Sequence, residues 1–284
     1  MGAMRFTRET HALPRAIEPD VEIVAIGDIH GRADLLDALL DEAAATRVLA
    51  RARRLVLLGD LIDRGPDSLG ALALARQGGE RIGAGETIPL MGNHEILMRM
   101  TLDPAIPVKA GLRALQVWLG NGGAAVVEEL FGFDAGWRDL GALLRALRET
   151  APEEVVGWLD GLRANYRSGG VLFVHAGVNP TLPLESFLSL PWDTPLAGLK
   201  EAAHWAWVRA PFLDHRPGAD GFSGYFVVHG HTPLDRGHTH DAAEQVARFR
   251  LNLDGGSAMT GEAKMAILRG GVAEVVSVQG EPPD

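Results

Sequence analysis

The sequence predicts an α/β fold, one domain built as a sandwich with helices on its outside, and three observations carry that expectation. Short aliphatic runs that stop at glycine alternate with helical periodicities, each run ends in a polar cluster in place of ordinary turn residues, and no shift in composition marks a linker. A chain of 284 residues that is 46% hydrophobic has the material for a large buried core, either as two small domains or as one large α/β domain.

Residues 1–20 are polar and interrupted by proline, and they read as a flexible N-terminal arm. From Val21 the chain turns into VEIVAIG, then LVLLG at 55–59 and TIPLMG at 87–92, which read as buried strands. Between them, ADLLDALLDEAAA from Ala33 and PDSLGALALARQ from Pro66 carry helical spacing, the second with proline at its first helical position. Strands alternating with helices imply a parallel sheet. The stretch of about 95–167 is helix-like throughout, with Gly, Asn and Pro breaks, and reads as a helical insertion. Within it WLGNGG, Trp118 to Gly123, reads as an ordinary helix stop. Strands resume at VLFVHAG (171–177), YFVVHG (225–230) and FRLNLDGG (249–256), and AKMAILRGG with VAEVVSVQG reads as a hairpin around Gly270 and Gly271.

Composition narrows the function classes. With 27 Lys and Arg against 37 Asp and Glu, a formal charge of −10 and three lysines, general affinity for nucleic acid or anionic membrane is not expected, so an anionic substrate must be held by local positive charge. The absence of cysteine excludes a disulfide framework, a Cys-ligated zinc site and a thiolate nucleophile. No run approaches the ~20 apolar residues that span a bilayer, the first 20 residues hold no apolar signal core, and the chain reads as soluble and cytoplasmic. Neither GxGxxG nor GxxxxGK[ST] occurs.

The chemistry lies in five clusters at the expected strand ends, where ligands sit in open α/β sheets. They are Gly27-Asp28-Ile29-His30-Gly31, Gly59-Asp60-Leu61-Ile62-Asp63-Arg64-Gly65, Gly92-Asn93-His94-Glu95, His175-Ala176-Gly177 and His229-Gly230-His231-Thr232-Pro233. Five of the ten histidines fall in them, a concentration that separate turns and caps do not account for. Carboxylates and neutral imidazoles are the ligand set of divalent first-row metals, and Asp28 with His30 can chelate from one side of an extended turn. Asp60 has two oxygens with which to bridge metals, and Asn93, His175 and a histidine of the last cluster complete a second site. His94, projecting differently from Asn93, faces substrate as a proton donor, with Asp63 orienting it and raising its pKa. Arg64 offers a planar fork to a phosphoryl group.

In this order the clusters resemble the phosphoprotein phosphatase family of metallophosphoesterases, whose signatures are GDxHG, GDxxDRG, GNHE, HAG and GH. The resemblance covers about residues 21–280, and the closing LNLDGGSAMTGEAKMAILRGG is similar to the short bacterial and phage members. It implies a metallophosphoesterase-type β-sandwich flanked by helices (αββα) over residues 21–284, with two divalent metal ions, manganese by family habit or else iron or zinc. Asp28 and His30 would bind the first metal, Asp60 would bridge, and Asn93, His175 and His231 would bind the second. His231 is preferred because it precedes the threonine of a GHT sequence, which leaves His229 behind the ligands. Arg64, Arg209 and Asn93 would contact the phosphoryl group, while His94 with Asp63 would protonate the leaving oxygen as a metal-bridging hydroxide attacks phosphorus.

The implied activity is that of a protein phosphatase on phosphoserine or phosphothreonine, with phosphotyrosine not excluded. Its rival is a symmetrical bis(5'-nucleosyl)-tetraphosphatase or an RNA cap-removing hydrolase. The rival branch commonly has alanine before the motif's arginine, whereas this chain has Asp63, which favours phosphorylated protein or peptide over a dinucleoside polyphosphate. A non-catalytic metal-binding scaffold would have no use for His94, Asp63 and Arg64 together. His238 and His240 read as part of a solvated loop, not as a third metal site.

Overall fold

In the computed structural model, which describes residues 4–132, 139–194, 196, 199–233 and 241–282, strands and helices first alternate and then give way to helices alone. The order is β1 (Arg5–Ala12), β2 (Val21–Ile26), α1 (Ala33–Ala45), β3 (Ala52–Leu57), α2 (Ser68–Arg81) and β4 (Glu86–Pro89). Next come α3 (Asn93–Leu102), α4 (Val108–Trp118), α5 (Ala124–Phe131), α6 (Leu140–Thr150) and α7 (Glu153–Asp160). The second half holds β5 (Asn165–Ser168), β6 (Val171–Val174), α8 (Leu184–Leu188), α9 (Ala210–Leu213), β7 (Phe226–His229), α10 (Ala242–Ala247), β8 (Arg250–Asn252), α11 (Ser257–Thr260), β9 (Glu262–Arg269) and β10 (Val272–Gln279).

The strands form two sheets, of order β1-β10-β9-β2-β3-β4 and β5-β6-β7-β8. β2, β3 and β4 run parallel, as do β6, β7 and β8, and the β9–β10 hairpin turns at Gly270-Gly271. Each central strand is apolar on both faces, because each face is covered. Ile23, Ala25, Val56 and Ile88 of the first sheet meet Phe173, Phe226, Val228 and Leu251 of the second. Val24, Ile26, Leu55 and Leu57 turn the other way, onto Leu35, Leu36, Leu39 and Leu40 of α1 and Ala71, Leu72 and Ala75 of α2. This is the αββα sandwich expected from the sequence, and it sets the C-terminal ends of the parallel strands along one rim.

Two expectations are corrected. Residues 5–12 are not part of a loose arm: β1 pairs antiparallel with β10 in full register, Arg5 to Gln279 through Ala12 to Val272. Its side chains are almost all exposed, so the strand is held by its backbone ladder and leaves no apolar alternation to read. The helical run ends at Asp160, and residues 165–168 are strand β5, antiparallel to β6. WLGNGG breaks the helix as expected: Gly122, at φ 106°, is non-helical and kinks the chain within Leu119–Gly123 before α5 begins. The His238 and His240 loop lies outside the described residues. Among the described residues no helix is long and apolar enough to cross a membrane.

One buried ion pair ties sheet to helices. Glu22 of β2, fully buried, accepts from Arg53 Nε of β3 at 2.5 Å and also from Arg269. Arg53 donates further to the carbonyls of Ala43, Thr46 and Ile82 at 2.8–2.9 Å, satisfying the C-terminal ends of α1 and α2. Glu22→Ala leaves that guanidinium buried beside helix ends without its counter-charge, and we expect a loss of about 3–5 kcal/mol in urea unfolding. A midpoint equal to that of the parent chain would show that the pair does not hold these layers together.

Candidate active site

Every cluster reaches the common rim from the end of a strand or the start of a helix. Asp28 and His30 follow β2, Asp60 follows β3, Asn93 and His94 open α3, His175 directly follows β6, and His231 lies two residues beyond the end of β7. These seven are buried, and the chain bends sharply at the rim: His30, Asp60 and His231 of this set, with neighbouring Asp63 and Arg64, have φ of 48°, 51°, 70°, 76° and 69°. Flanking glycines share this conformation, Gly31, Gly59 and Gly177 at φ 65°, 98° and 137°. Each non-glycine residue held so costs on the order of 1–3 kcal/mol, and such strain gathers at functional sites.

Asp60 is the hub. Its Oδ1 accepts from the backbone N–H of His94 at 3.0 Å. Its Oδ2 faces three imidazoles, with His175 Nε2 at 3.4 Å, His30 Nε2 at 3.7 Å and His94 Nε2 at 3.9 Å. His175 Nδ1 donates to the Leu58 carbonyl at 2.9 Å and His30 Nδ1 to the Ile62 carbonyl at 3.0 Å. Those backbone bonds fix the tautomers, leaving the Nε2 lone pairs directed inward. Asn93 Oδ1 lies 3.2 Å from His175 Nε2, and the His175 and His231 rings meet edge to face at 5.1 Å.

The electrostatics suit a cation. Asp28, Asp60, Glu95 and Asp254 are buried carboxylates that act on one another. Burial, reinforced by Asp254 and Asp60, holds Asp28 well above the usual carboxylate range; burial and the charge of Asp60 push Glu95 to about 7, and burial above all pushes Asp254 to about 6. Burial opposes ionisation of Asp60 as well, but His175, His94 and His30 outweigh it and hold that group well below the ordinary value. Burial drives His30 and His231 far toward the neutral form, which is the metal-binding form of imidazole.

Two groups, His30, Asp60, His94 and Asp60, His175, His231, each bring their ligand atoms within 4.8 Å of one another. His231 Nε2 is buried without a hydrogen-bond partner, an atom with a lone pair and nothing bound to it. The donor set and this orphaned nitrogen fit a divalent metal. The two groups share Asp60, as a bridging role requires.

Placement departs from expectation at Asp28 and His94. Asp28 is in neither group; its carboxylate accepts the His231 N–H at 3.0 and 3.2 Å and so braces that ligand loop. His94 is near enough to Asp60 to join the first group while its Nδ1 contacts Asp63 Oδ2. Its pKa is not raised: burial, with the charges of Arg64 and Arg209 opposing Asp60, lowers it to about 4. Asp63 is itself pushed well up by burial. His229, expected behind the ligands, packs its ring edge to face on Phe212 at 4.9 Å.

The two arginines flank the cluster. Arg64, exposed at the mouth, donates to His30 Nε2 at 2.7 Å and to His94 Nε2 at 2.9 Å. Arg209, at the start of α9, is half-buried, and its charge bears on both His94 and His231.

Sequence reasoning left Glu95, Trp118 and Asp254 without a role. Glu95 accepts from the backbone N–H groups of Asp60, Leu61 and Gly92 at 2.8–2.9 Å, joining the end of β3 to the start of α3. Its signal was present, since a glutamate three residues after Gly92 is the acceptor of a helix N-terminus. Trp118, wholly buried, donates its indole N–H to both oxygens of Asp63 at 2.9 Å. Asp254 accepts from the Gly256 N–H at 2.8 Å, and only its place after β8, a strand end without histidine, marked it.

A two-sheet sandwich with imidazoles and carboxylates gathered around one bridging aspartate defines a metallophosphoesterase. The profile of the Calcineurin-like phosphoesterase family matches residues 21–260, and the chain belongs to that family. It is 41% identical over 98 residues to a serine/threonine-protein phosphatase 1 of Salmonella typhimurium, which is 34% of this chain and 37% of that protein. It is 31% identical over 160 residues to a symmetrical bis(5'-nucleosyl)-tetraphosphatase of Nitrosococcus oceani, 56% of this chain and 44% of that protein. The chain thus spans less than half the length of the curated relatives it matches. In fold it is similar to a cold-active protein-tyrosine phosphatase of a psychrophilic Shewanella, with a TM-score of 0.53 at 20% identity over 90% of this chain and 79% of the other.

Because Glu95 holds the backbone that presents Asp60, Glu95→Gln replaces an acceptor with a donor facing N–H groups. We expect manganese affinity, measured by titration calorimetry, to fall about 10–100-fold. An unchanged affinity would mean that Asp60 keeps its position without Glu95.

Proposed function

We propose that this chain is a metal-dependent phosphomonoester hydrolase, a protein phosphatase for phosphoserine and phosphothreonine that also admits phosphotyrosine, acting in the cytoplasm. The observation that carries the reading is His94, its Nδ1 on Asp63 and its Nε2 turned to the side of Asp60 where three imidazoles converge. Manganese, with iron or zinc as alternatives, would be held by His30, Asp60 and Asp28, whose oxygens keep lone pairs besides those that accept the His231 N–H, on one side, and by Asp60, Asn93, His175 and His231 on the other. Bound there, two divalent cations supply Lewis-acid charge and acidify water.

The chain's own groups do the rest. Asn93 turns Oδ1 toward His175, which leaves its amide N–H to donate to a phosphoryl oxygen. Arg64 and Arg209 neutralise the remaining oxygens, supplying the local positive charge that a chain of net charge −10 needs for an anionic substrate. With Nδ1 engaged by Asp63, Nε2, which accepts from Arg64 in this structure, is the His94 nitrogen left to take up a proton and pass it to the leaving oxygen once Arg64 turns to the phosphoryl group. Asp63 matters for substrate choice as well. A serine or threonine alkoxide is a poor leaving group that needs a positioned acid, whereas a nucleotide phosphate leaves readily without one.

One observation favours a second reading, symmetrical hydrolysis of dinucleoside tetraphosphates: the Nitrosococcus protein of that name aligns with 56% of this chain, against 34% for the Salmonella phosphatase. Phosphate release from phosphoserine, phosphothreonine and phosphotyrosine peptides, measured with manganese beside diadenosine tetraphosphate, separates the two by kcat/KM. Peptides are expected to be the better substrates, and greater efficiency on the dinucleotide would overturn the first reading. His94→Asn is expected to lower kcat about 100-fold or more with metal content retained, whereas Asp60→Asn loses metal and turnover together. Undiminished turnover in either variant would remove the role assigned to that residue.

A further inference from the structure

We propose that the glycine kink after α4, Leu119 to Gly123, together with Trp118 that leads into it, is the element that positions both Asp63 and Arg64, Trp118 setting the proton donor and Gly122 setting the phosphate-binding arginine. This rests on the phosphoesterase reading above and adds to it a division of labour within one turn.

Asp63 and Arg64 are consecutive, and both occupy the left-handed region, at φ 76° and 69°. Side-chain-bearing residues hold that conformation only where their surroundings impose it. The surroundings here come from more than 50 residues along the chain. The Trp118 indole N–H donates to Asp63 Oδ1 and Oδ2 at 2.9 Å each, which fixes the rotation of the carboxylate plane, and Oδ2 is the oxygen that contacts His94 Nδ1. The Asp63 N–H is engaged separately, by Ser68 Oγ at 3.1 Å. Trp118 therefore reaches the proton donor only through the carboxylate.

Arg64 is held by the other end of the same turn. Its backbone N–H donates to the Gly122 carbonyl at 3.2 Å and its Nε to the Asn121 carbonyl at 3.3 Å. Gly122 has φ 106°, and a Cβ there would stand 2.5 Å from Arg64 Cγ, so the arginine stem lies directly on the bare glycine. Asn121 closes the turn by donating to the Val117 carbonyl at 2.7 Å. The kink at Gly122 makes both contacts simultaneous: the indole just before it and two carbonyls within it face the same dipeptide.

A turn that only supported the fold would, when altered, lower every kinetic constant together. A turn that divides its work gives two different signatures. In Trp118→Phe the ring remains and the N–H is lost. We expect kcat on phenyl phosphate to fall about tenfold or more, with a loss under about threefold on 2,4-dinitrophenyl phosphate, whose leaving group needs little protonation. In Gly122→Ala we expect KM to rise about tenfold on both esters, with kcat within about threefold of the parent. Manganese content and Tm are measured alongside.

A third readout needs no turnover. The Trp118 indole N–H proton resonance should shift in Asp63→Asn relative to the parent chain without metal. Equal losses on both esters in Trp118→Phe, a kcat effect without a KM effect in Gly122→Ala, or an indole resonance that does not move would each overturn the proposal. A parent chain that hydrolyses neither ester overturns the phosphoesterase reading instead, and the indole resonance then decides alone whether Trp118 holds Asp63.

Discussion

A carboxylate that is almost wholly removed from water must be compensated, and at Asp60 the compensation organises the whole rim. One oxygen is capped by the first turn of α3, through the His94 N–H, and the other is left to three imidazole nitrogens. The backbone on either side is held by Glu95, itself a buried acid, so the local solution to one desolvated charge introduces another. Asp28 and Asp254 add two more. Four acids in a dry cluster are tolerable when a cation is part of the design, and His231 Nε2, buried and unpartnered, is the kind of donor such a cation would take.

Holding these groups in place draws on both sheets and on the insertion. Asp28, His30 and Asp60 come from the first sheet, His175 and His231 from the second, and His94 from the start of the helical region. The apolar packing between the sheets, Ile23 and Val56 against Phe173 and Val228, is what brings these strand ends together. Five side-chain-bearing residues in left-handed conformations at the rim show where part of that packing energy goes. A site assembled this way has rigid walls, since each ligand sits within a few residues of a buried strand or helix end, and geometry that must be reproduced for chemistry gains from that rigidity.

The helical insertion belongs to the chemistry as well as to the fold. α3 begins at Asn93 and delivers His94, and α4 ends at Trp118, whose indole binds the carboxylate that His94 leans on. His94 and the Asp63 carboxylate are thus held from two helices of the insertion, while Asp28, His30, Asp60, His175 and His231 are held mainly from strand ends. That separation lets leaving-group chemistry vary through the insertion without disturbing the cluster around Asp60. It gives a physical basis for a fold family that includes proteins named for phosphoproteins and for dinucleoside polyphosphates.

Periodicity and short contiguous clusters are local properties, and they carried the reading a long way. VEIVAIG, LVLLG and VLFVHAG announce doubly covered strands because nothing else explains unbroken aliphatic runs that short. Asp28 to His231 could be picked out because each cluster is written within a few residues of a strand end. Residues 5–12 escaped because β1 buries almost nothing; what orders it is a ladder to β10, more than 250 residues away. The role of Glu95 was visible only once β3 and α3 were placed side by side. The contact from Trp118 to Asp63 spans 55 positions, so the glycine stop was legible in WLGNGG while what its tryptophan touches was not. The sequence by itself determined the order of elements, the layers they would form and the chemical types at the rim, because those follow from which side chains avoid water. Tertiary structure alone decided which atoms meet: that Asp28 braces the His231 loop, that His94 is buried to the point of neutrality, and that a tryptophan sets the acid, since such distances depend on how separate elements pack.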